Sequence, residues 1–220
     1  MFVPQAFAID DPAAVVAFIR EYPFGTLIGG QDGHLAASHL PFVFDPERGP
    51  HGTLTAHMAR ANPQWESFGS KREHLVIFQG PHGYISPSWY AQQPAVPTWN
   101  YTTVHVYGVP RVIGQDRLWD LLEDLVQRNE SGFAEPWQMD LPEDYRDRML
   151  AGIVGFEIPL DRVKAKFKLN QNLPAVIPPR VIAVLQRSDL AGARDLGAFM
   201  AAYYASGTGS SADPSIERER

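Results

Sequence analysis

The chain has 220 residues, 45% of them hydrophobic, enough to bury a substantial core in one domain with room for an appendage. Its 19 Lys and Arg against 25 Asp and Glu leave a formal charge of −6, which argues against a general polyanion binder. The absence of cysteine excludes disulfides, iron–sulfur clusters, thiolate zinc sites and a cysteine nucleophile.

Asp10 or Asp11 can cap a helix with Pro12 at its first position, running through AAVVAFIREY. FGTLIGGQDGHLAASHLPFVFD reads as a hairpin turning at Gly29 to Gly33. HGTLTAHMA is a strand, and ANPQWESF begins a helix capped by Asn62 with Pro63 following. HLVIFQG and TWNYTTVHVYGVPRVI are further strands. In the second, Trp99, Tyr101, Thr103, His105 and Tyr107 alternate with Asn100, Thr102, Val104 and Val106. The valine-containing face suits a core. The other, all rings and polar atoms, faces solvent, a second subunit or a flat ligand.

QDRLWDLLEDLVQRNESG is amphipathic, with Leu118, Leu121, Leu122, Leu125 and Val126 on one stripe. EDYRDRML is a short helix leading into a strand at Ile153 to Ile158. PRVIAVLQ and DLAGARDLGAFMAAYY are helical, and SGTGSSADPSIERER from Ser206 reads as a solvated tail. Short strands at hairpin spacing with late helices predict a mainly β, α+β fold, a closed or partly closed antiparallel barrel with peripheral helices. The domain expectation is residues 1–188 as the barrel domain, 189–205 as a C-terminal helix and 206–220 as the tail. No run approaches transmembrane length, and no basic segment followed by an apolar core opens the sequence, so the expectation is a cytoplasmic protein without a membrane partner.

The fingerprints of dinucleotide sites, phosphate loops, zinc proteases and nucleophile elbows are absent, and the histidines never fall at helical metal-ligand spacing. Four stretches remain. In GTLTAHMARANPQW, the helix start at Asn62 offers an anion-binding end with His57 and Arg60 nearby; the plain alternative is a cap beside a solvated histidine. In SHLPF, Pro41 marks an edge strand whose unpaired backbone could read a heterocycle rim or is merely blunted against aggregation. IFQGPHGYISPSWY with VPTWNY gathers Phe78, Tyr84, Trp89, Tyr90, Trp99 and Tyr101, more rings than a core absorbs, with a dimer seam as the simple reading. In KAKFKLNQN, Lys164, Lys166 and Lys168 share one face of an extended chain, as a small positive site or a solvated strand edge.

Together, HLPF, GTLTAHMARANPQW, LVIFQGPHGYISPSWY, VPTWNYTTVHVYG, IVGFEI and KFKLNQN resemble, in order and spacing, the PaiB family of FMN-binding negative transcriptional regulators, over residues 1–185. The resemblance implies a split β-barrel of the pyridoxamine-phosphate-oxidase type, a homodimer with FMN at the subunit interface. It implies flavin contacts at Ser38, His39, Leu40, His57, Met58, Ala59, Arg60, Asn62 and Gln64. Trp99, Asn100, Lys168 and Gln171 are the partner-subunit side. KLNQN departs from the family at its middle residue, where a serine is expected. The implied role is transcriptional regulation, with DNA as a partner. The residues help that partner little, because the second helix of the helix-turn-helix candidate, from Pro179 to Tyr204, offers only Arg194 beside Asp195. The rival functions are an FMN-dependent oxidoreductase acting on a small molecule and a non-catalytic flavin or heme sensor.

Overall fold

The structure is a computed structural model that describes residues 1–31 and 34–207. Among these residues the chain forms a nine-stranded antiparallel sheet and five α-helices. The strands are β1 (Ala8–Ile9), β2 (Phe24–Gln31), β3 (His34–Pro41), β4 (Val43–Asp45), β5 (Thr53–Ala59), β6 (His74–Ile85), β7 (Thr98–Gly108), β8 (Arg111–Val112) and β9 (Ile153–Lys168). The helices are α1 (Pro12–Glu21), α2 (Gln115–Glu130), α3 (Glu143–Ala151), α4 (Ile177–Gln186) and α5 (Ala191–Ala205). The strand order is β3-β2-β6-β7-β9-β5-β4, with β1 and β8 each pairing β9.

The chain forms two compact units, and β6, β7 and β9 run through both. Among the described residues, one comprises Val16–Phe78 and His105–Val163; the other comprises Met1–Val15, Gln79–Val104 and residues 164–207. In the first unit, Phe42 meets Phe78 edge-on at 5.6 Å and Phe156 at 6.3 Å, and Phe68 closes on Phe156 at 4.8 Å. Leu27, Leu54, Met58, Val76 and Ile158 of the same unit are likewise buried. Each such side chain contributes about 1.5–3 kcal/mol on burial. Leu118 and Leu121 of α2 pack with Leu150 of α3 and with Val43 and Ile113, the stripe its periodicity predicts.

In the second unit the core is built from Ile85, Val104, Phe167, Leu169, Val181, Leu185, Leu196 and Met200. Here α4 and α5 approach so closely that a Cβ on Gly197 would stand 2.9 Å from Leu185 Cβ and 3.0 Å from the Gln186 amide nitrogen. Glycine is the residue that permits this crossing.

Several expectations change in detail. β2 carries through Gly29 and Gly30 to Gln31, with the register Gln31↔His34; the rest of the expected turn, Asp32 and Gly33, lies outside the described residues. The helix begun at Asn62 is a five-residue 3₁₀ helix, Pro63–Ser67. The predicted strand at Ile153 to Ile158 continues to Lys168 and absorbs the lysine segment. Val109–Pro110 divides the long strand of the middle region into β7 and β8. The predicted tail lies outside the described residues from 208. No helix among the described residues is long and apolar enough to cross a membrane.

Glu157 anchors one flank of the first unit. Its Oε2 accepts from Arg117 Nη2 at 2.5 Å and from Arg48 Nη2, and its side chain is only 12% exposed. Burial raises the carboxyl's pKa, but the bonds and charges of the two arginines outweigh that and hold it below its ordinary value. A depressed carboxylate pKa gives stability that is complete at neutral pH and is lost as pH falls below about 4.3 toward the folded value. Glu157→Gln is expected to flatten the fall in urea stability between about pH 5 and 3; an unchanged slope would refute this pairing as a source of stability.

Candidate functional site

The first set of predicted residues assembles where β3, β5 and the 3₁₀ helix meet. Asn62 Oδ1 accepts from the Gln64 amide at 3.0 Å, so the cap forms as the sequence signals. Asn62 Nδ2 donates to Ser38 Oγ at 2.8 Å, and Ser38 Oγ donates to Gln64 Oε1 at 2.6 Å. Gln64 Nε2 then donates to the carbonyls of Ala36 at 3.2 Å and Leu27 at 3.4 Å. This chain of bonds ties the edge strand to the helix start and leaves Gln64 only 5% exposed. Ser38, Asn62 and Gln64 therefore fix the position of the backbone around them.

His39 is exposed, and its Nδ1 meets Thr26 Oγ1 at 3.0 Å; Leu40 is half-buried beside it. Arg60 is exposed, with Nε and Nη2 donating to the carbonyls of Ala151 and Ile153, each at 2.8 Å. Met58 is core, 2% exposed, so its side chain is closed to a ligand. Ala59 is exposed at the strand's end.

β5 pairs with β9 along its whole length, from Thr53↔Pro159 to Ala59↔Ile153, but with β4 only from Thr53 to Thr55. Among the described residues, Ala56 to Ala59 has no strand partner on its other side, so the outward backbone groups there are free of the ladder, although the Ala59 carbonyl accepts from the Asn62 amide at 2.9 Å. On the same stretch His57 Nδ1 is buried without a hydrogen-bond partner. Burial holds this ring's pKa below its ordinary value, so it is neutral at physiological pH. An open strand side and an orphaned ring nitrogen are the features a ligand would satisfy. The Asn62 helix end is a poorer anion site than its sequence suggests, because the helix is one short 3₁₀ run and its Gln64 N–H is already capped. A shallow cavity of about 340 Å³ borders Gln64 on its other flank, where exposed Glu66 disfavours an anion.

Sequence reasoning missed the support behind Gln64. Ser67 Oγ donates to the Gln64 carbonyl at 2.7 Å and meets His74 Nε2 at 3.2 Å, while His74 Nδ1 meets the Arg72 carbonyl at 3.1 Å. Both side chains are buried, so the pair is a brace. No spacing in the sequence signals it.

The second set of predicted residues lies in the second unit. Trp99 is 56% exposed while its neighbour Asn100 is fully buried, as alternation along β7 requires. Asn100 Nδ2 donates to Asn170 Oδ1 at 2.6 Å, and its Oδ1 has no partner. Gln171 Oε1 accepts from the Leu169 amide at 2.6 Å, and its Nε2 donates to the Phe167 carbonyl at 2.5 Å. Lys168 Nζ donates to Thr98 Oγ1. Asn170, the departure within KLNQN, stands at φ 72°, a left-handed conformation that asparagine tolerates better than most residues. Asn100 and Gln171 are thus engaged in holding this turn.

Among the described residues no group of three or more His, Cys, Asp or Glu is placed to hold a metal. Lys166 departs from the expected lysine face: it is 8% exposed, with Nζ over the rings of Tyr101 (5.2 Å), Phe2 (5.8 Å) and Phe7 (6.0 Å).

Residues 1–162 match the family described as "Putative FMN-binding domain". A Bacillus subtilis protein named "Protease synthase and sporulation protein PAI 2" is 35% identical over 201 residues, covering 91% of this chain and 96% of that protein. The chain belongs to the PaiB family. An uncharacterized protein from Emericella nidulans is 33% identical over 196 residues, covering 70% of this chain and 78% of that protein. Among solved structures, the FAD and heme binding protein from Mycobacterium smegmatis superposes with a TM-score of 0.55 at 16% identity, covering 73% of each chain. The flavocytochrome Anf3 from Azotobacter vinelandii gives 0.57 at 12%, covering 75% of this chain and 72% of that one. The PaiB-family chain thus has the fold expected of it, a split antiparallel β-barrel of the flavin-binding type with peripheral helices.

Proposed function

We propose that this PaiB-family chain binds FMN in a homodimer and acts as a flavin-responsive regulator. The observation that carries the reading is the open side of β5 from Ala56 to Ala59 with the orphaned His57 Nδ1 upon it. Backbone groups of that stretch, His57 and the free end of the Arg60 guanidinium would hold the phosphate. The backbone of Ser38, His39 and Leu40 would face the ring, kept in place by the Asn62–Ser38–Gln64 bonds. A bound flavin supplies hydride and electron chemistry, which regulation uses as a sensed state.

A homodimer is supported by the edge position of β3 and by large apolar side chains left exposed on its hairpin, Phe24 at 63% and Leu35 at 83%. From the partner subunit, Lys168 would approach the flavin. Regulation is favoured over catalysis because Ser38, Asn62 and Gln64 are bonded to one another and to the backbone of β3. DNA reading by α5 gains little support, since Leu196, Gly197 and Met200 are buried and Arg194 donates to the Ser188 carbonyl.

The test is titration of flavin-stripped protein with FMN, followed by quenching of flavin fluorescence. Saturation is expected at equal flavin and subunit concentrations, with riboflavin weaker for want of the phosphate and FAD as a further control. His57→Ala is expected to weaken FMN binding about tenfold, and Asn62→Ala comparably while also costing about 1 kcal/mol of stability. Equal affinity for FMN and riboflavin would reject the phosphate assignment.

A further inference from the structure

The second unit contains a cavity of about 710 Å³ formed by β6, β7 and the α4–α5 elbow. This volume falls within the range of small-molecule sites, about 300–1,000 Å³. Trp99 forms one wall with more than half its surface exposed, an unusual cost for so large an apolar ring. His82 lies near-parallel to it, at 29° and 6.5 Å between centroids, and Tyr84 meets it edge-on at 6.3 Å. These separations sit at the wide end of ring–ring contact, so the aromatic faces retain surface for a third ring. The facing wall carries Val184 and Leu190, themselves 39% and 72% exposed.

Charge at the elbow narrows the occupant. Arg180 donates to the Tyr90 carbonyl and Arg194 to the Ser188 carbonyl, so both are committed to the scaffold. Arg187 lines the cavity; its backbone N–H caps α4 on the Val184 carbonyl, and among the described residues its guanidinium makes no hydrogen bond or ion pair. The elbow's carboxylate, Asp189, is not part of the lining. We propose that this cavity binds a planar aromatic carboxylate about the size of two fused rings, its rings on Trp99 and its carboxylate on Arg187. Its residues lie within the second unit and are separate from the β3–β5 set assigned to the flavin. Trp99, which the resemblance assigns to the flavin's partner side, is here a wall of a second site.

Calorimetric titration of the full chain with 2-naphthoate and with neutral 2-naphthamide tests this. Naphthoate is expected to bind saturably and about tenfold more tightly than the amide, as a charge-assisted bond to an exposed guanidinium allows. Arg187→Gln is expected to erase the difference, and Trp99→Ala to abolish binding of both; both positions are exposed, so melting temperature should hold. Naphthoate affinity is expected to be the same with FMN saturating and in Asn62→Ala. Absence of saturable naphthoate binding at millimolar concentration, equal affinities for acid and amide, full binding by Trp99→Ala, or competition by FMN would each overturn the proposal. Naphthoate binding by a chain that fails to bind FMN would sink the flavin reading alone.

Discussion

Gly29→Ala is expected to lower the stability of the fold by on the order of 4 kcal/mol, a large share of the 5–15 kcal/mol typical of a domain. An added Cβ would lie 1.9 Å from His74 Cδ2 and 2.3 Å from His74 Nε2. The imidazole has no easy retreat. It is 2% exposed, meets Ser67 Oγ and the Arg72 carbonyl, and packs edge-on against Phe68 at 5.5 Å. Displacing it costs overpacking strain, about 1–3 kcal/mol. It also leaves buried polar atoms unpaired, at a similar further cost. Because Ser67 also bonds the Gln64 carbonyl, the same change should loosen the Asn62–Ser38–Gln64 chain and, with it, weaken the flavin binding proposed there. Urea denaturation measures the first effect. Adding His74→Ala to Gly29→Ala should restore part of the lost stability by removing the overlap. A loss below about 1 kcal/mol, or a double variant less stable than Gly29→Ala, would refute the steric account.

The parts of the fold visible in the sequence are those governed by local periodicity. Alternation along β7 separates buried Asn100, Thr102, Val104 and Val106 from the outward rings, and the structure keeps that division, Thr103 apart. The Asn62–Pro63 start signal is also honoured, but the helix ends after five residues as Gly69 turns to φ 80°. Local rules locate a helix start better than its length. β9 is longer than its sequence suggests because Pro159 resembles a strand breaker; in the fold it stands at Thr53↔Pro159, the last pair of the β5 ladder. The Lys164–Lys166–Lys168 alternation is real, yet Phe2, Phe7 and Tyr101 cover Lys166. Nothing near Lys166 in sequence announces residues 2 and 7. The candidate site behaves the same way. Ser38 and Gln64 are 26 residues apart, and only resemblance to a family, not spacing, brings them to notice. The Ser67–His74 brace and the open side of β5 are products of tertiary pairing and have no local signature.

Stability is expected to fall as pH drops from 7 to 5, through three histidines kept neutral by burial. His57, His74 and His105 each have a pKa held below the ordinary 6.5 chiefly by desolvation; for His74 the bond to the Arg72 carbonyl pulls the other way and does not prevail. In the folded chain these rings resist the proton, whereas in the unfolded chain they accept it once pH falls below about 6.5. The unfolded state then binds more protons, so stability is complete above about pH 7 and declines toward the folded values. His57 and His105 each also bury an Nδ1 without a partner, which adds to the cost of a charge there. The formal charge of −6 works in the opposite direction, since mild acid relieves its self-repulsion. A measured loss is therefore attributable to the histidines. Glu157 does not confuse the window, because its depressed carboxyl titrates below about pH 4.3. Urea denaturation of flavin-free protein at pH 7.5, 6.5 and 5.5 is the measurement, with His57→Gln and His105→Gln each expected to flatten the curve. Stability that is constant or rising over that range would show that the buried rings take up protons in the fold as readily as outside it.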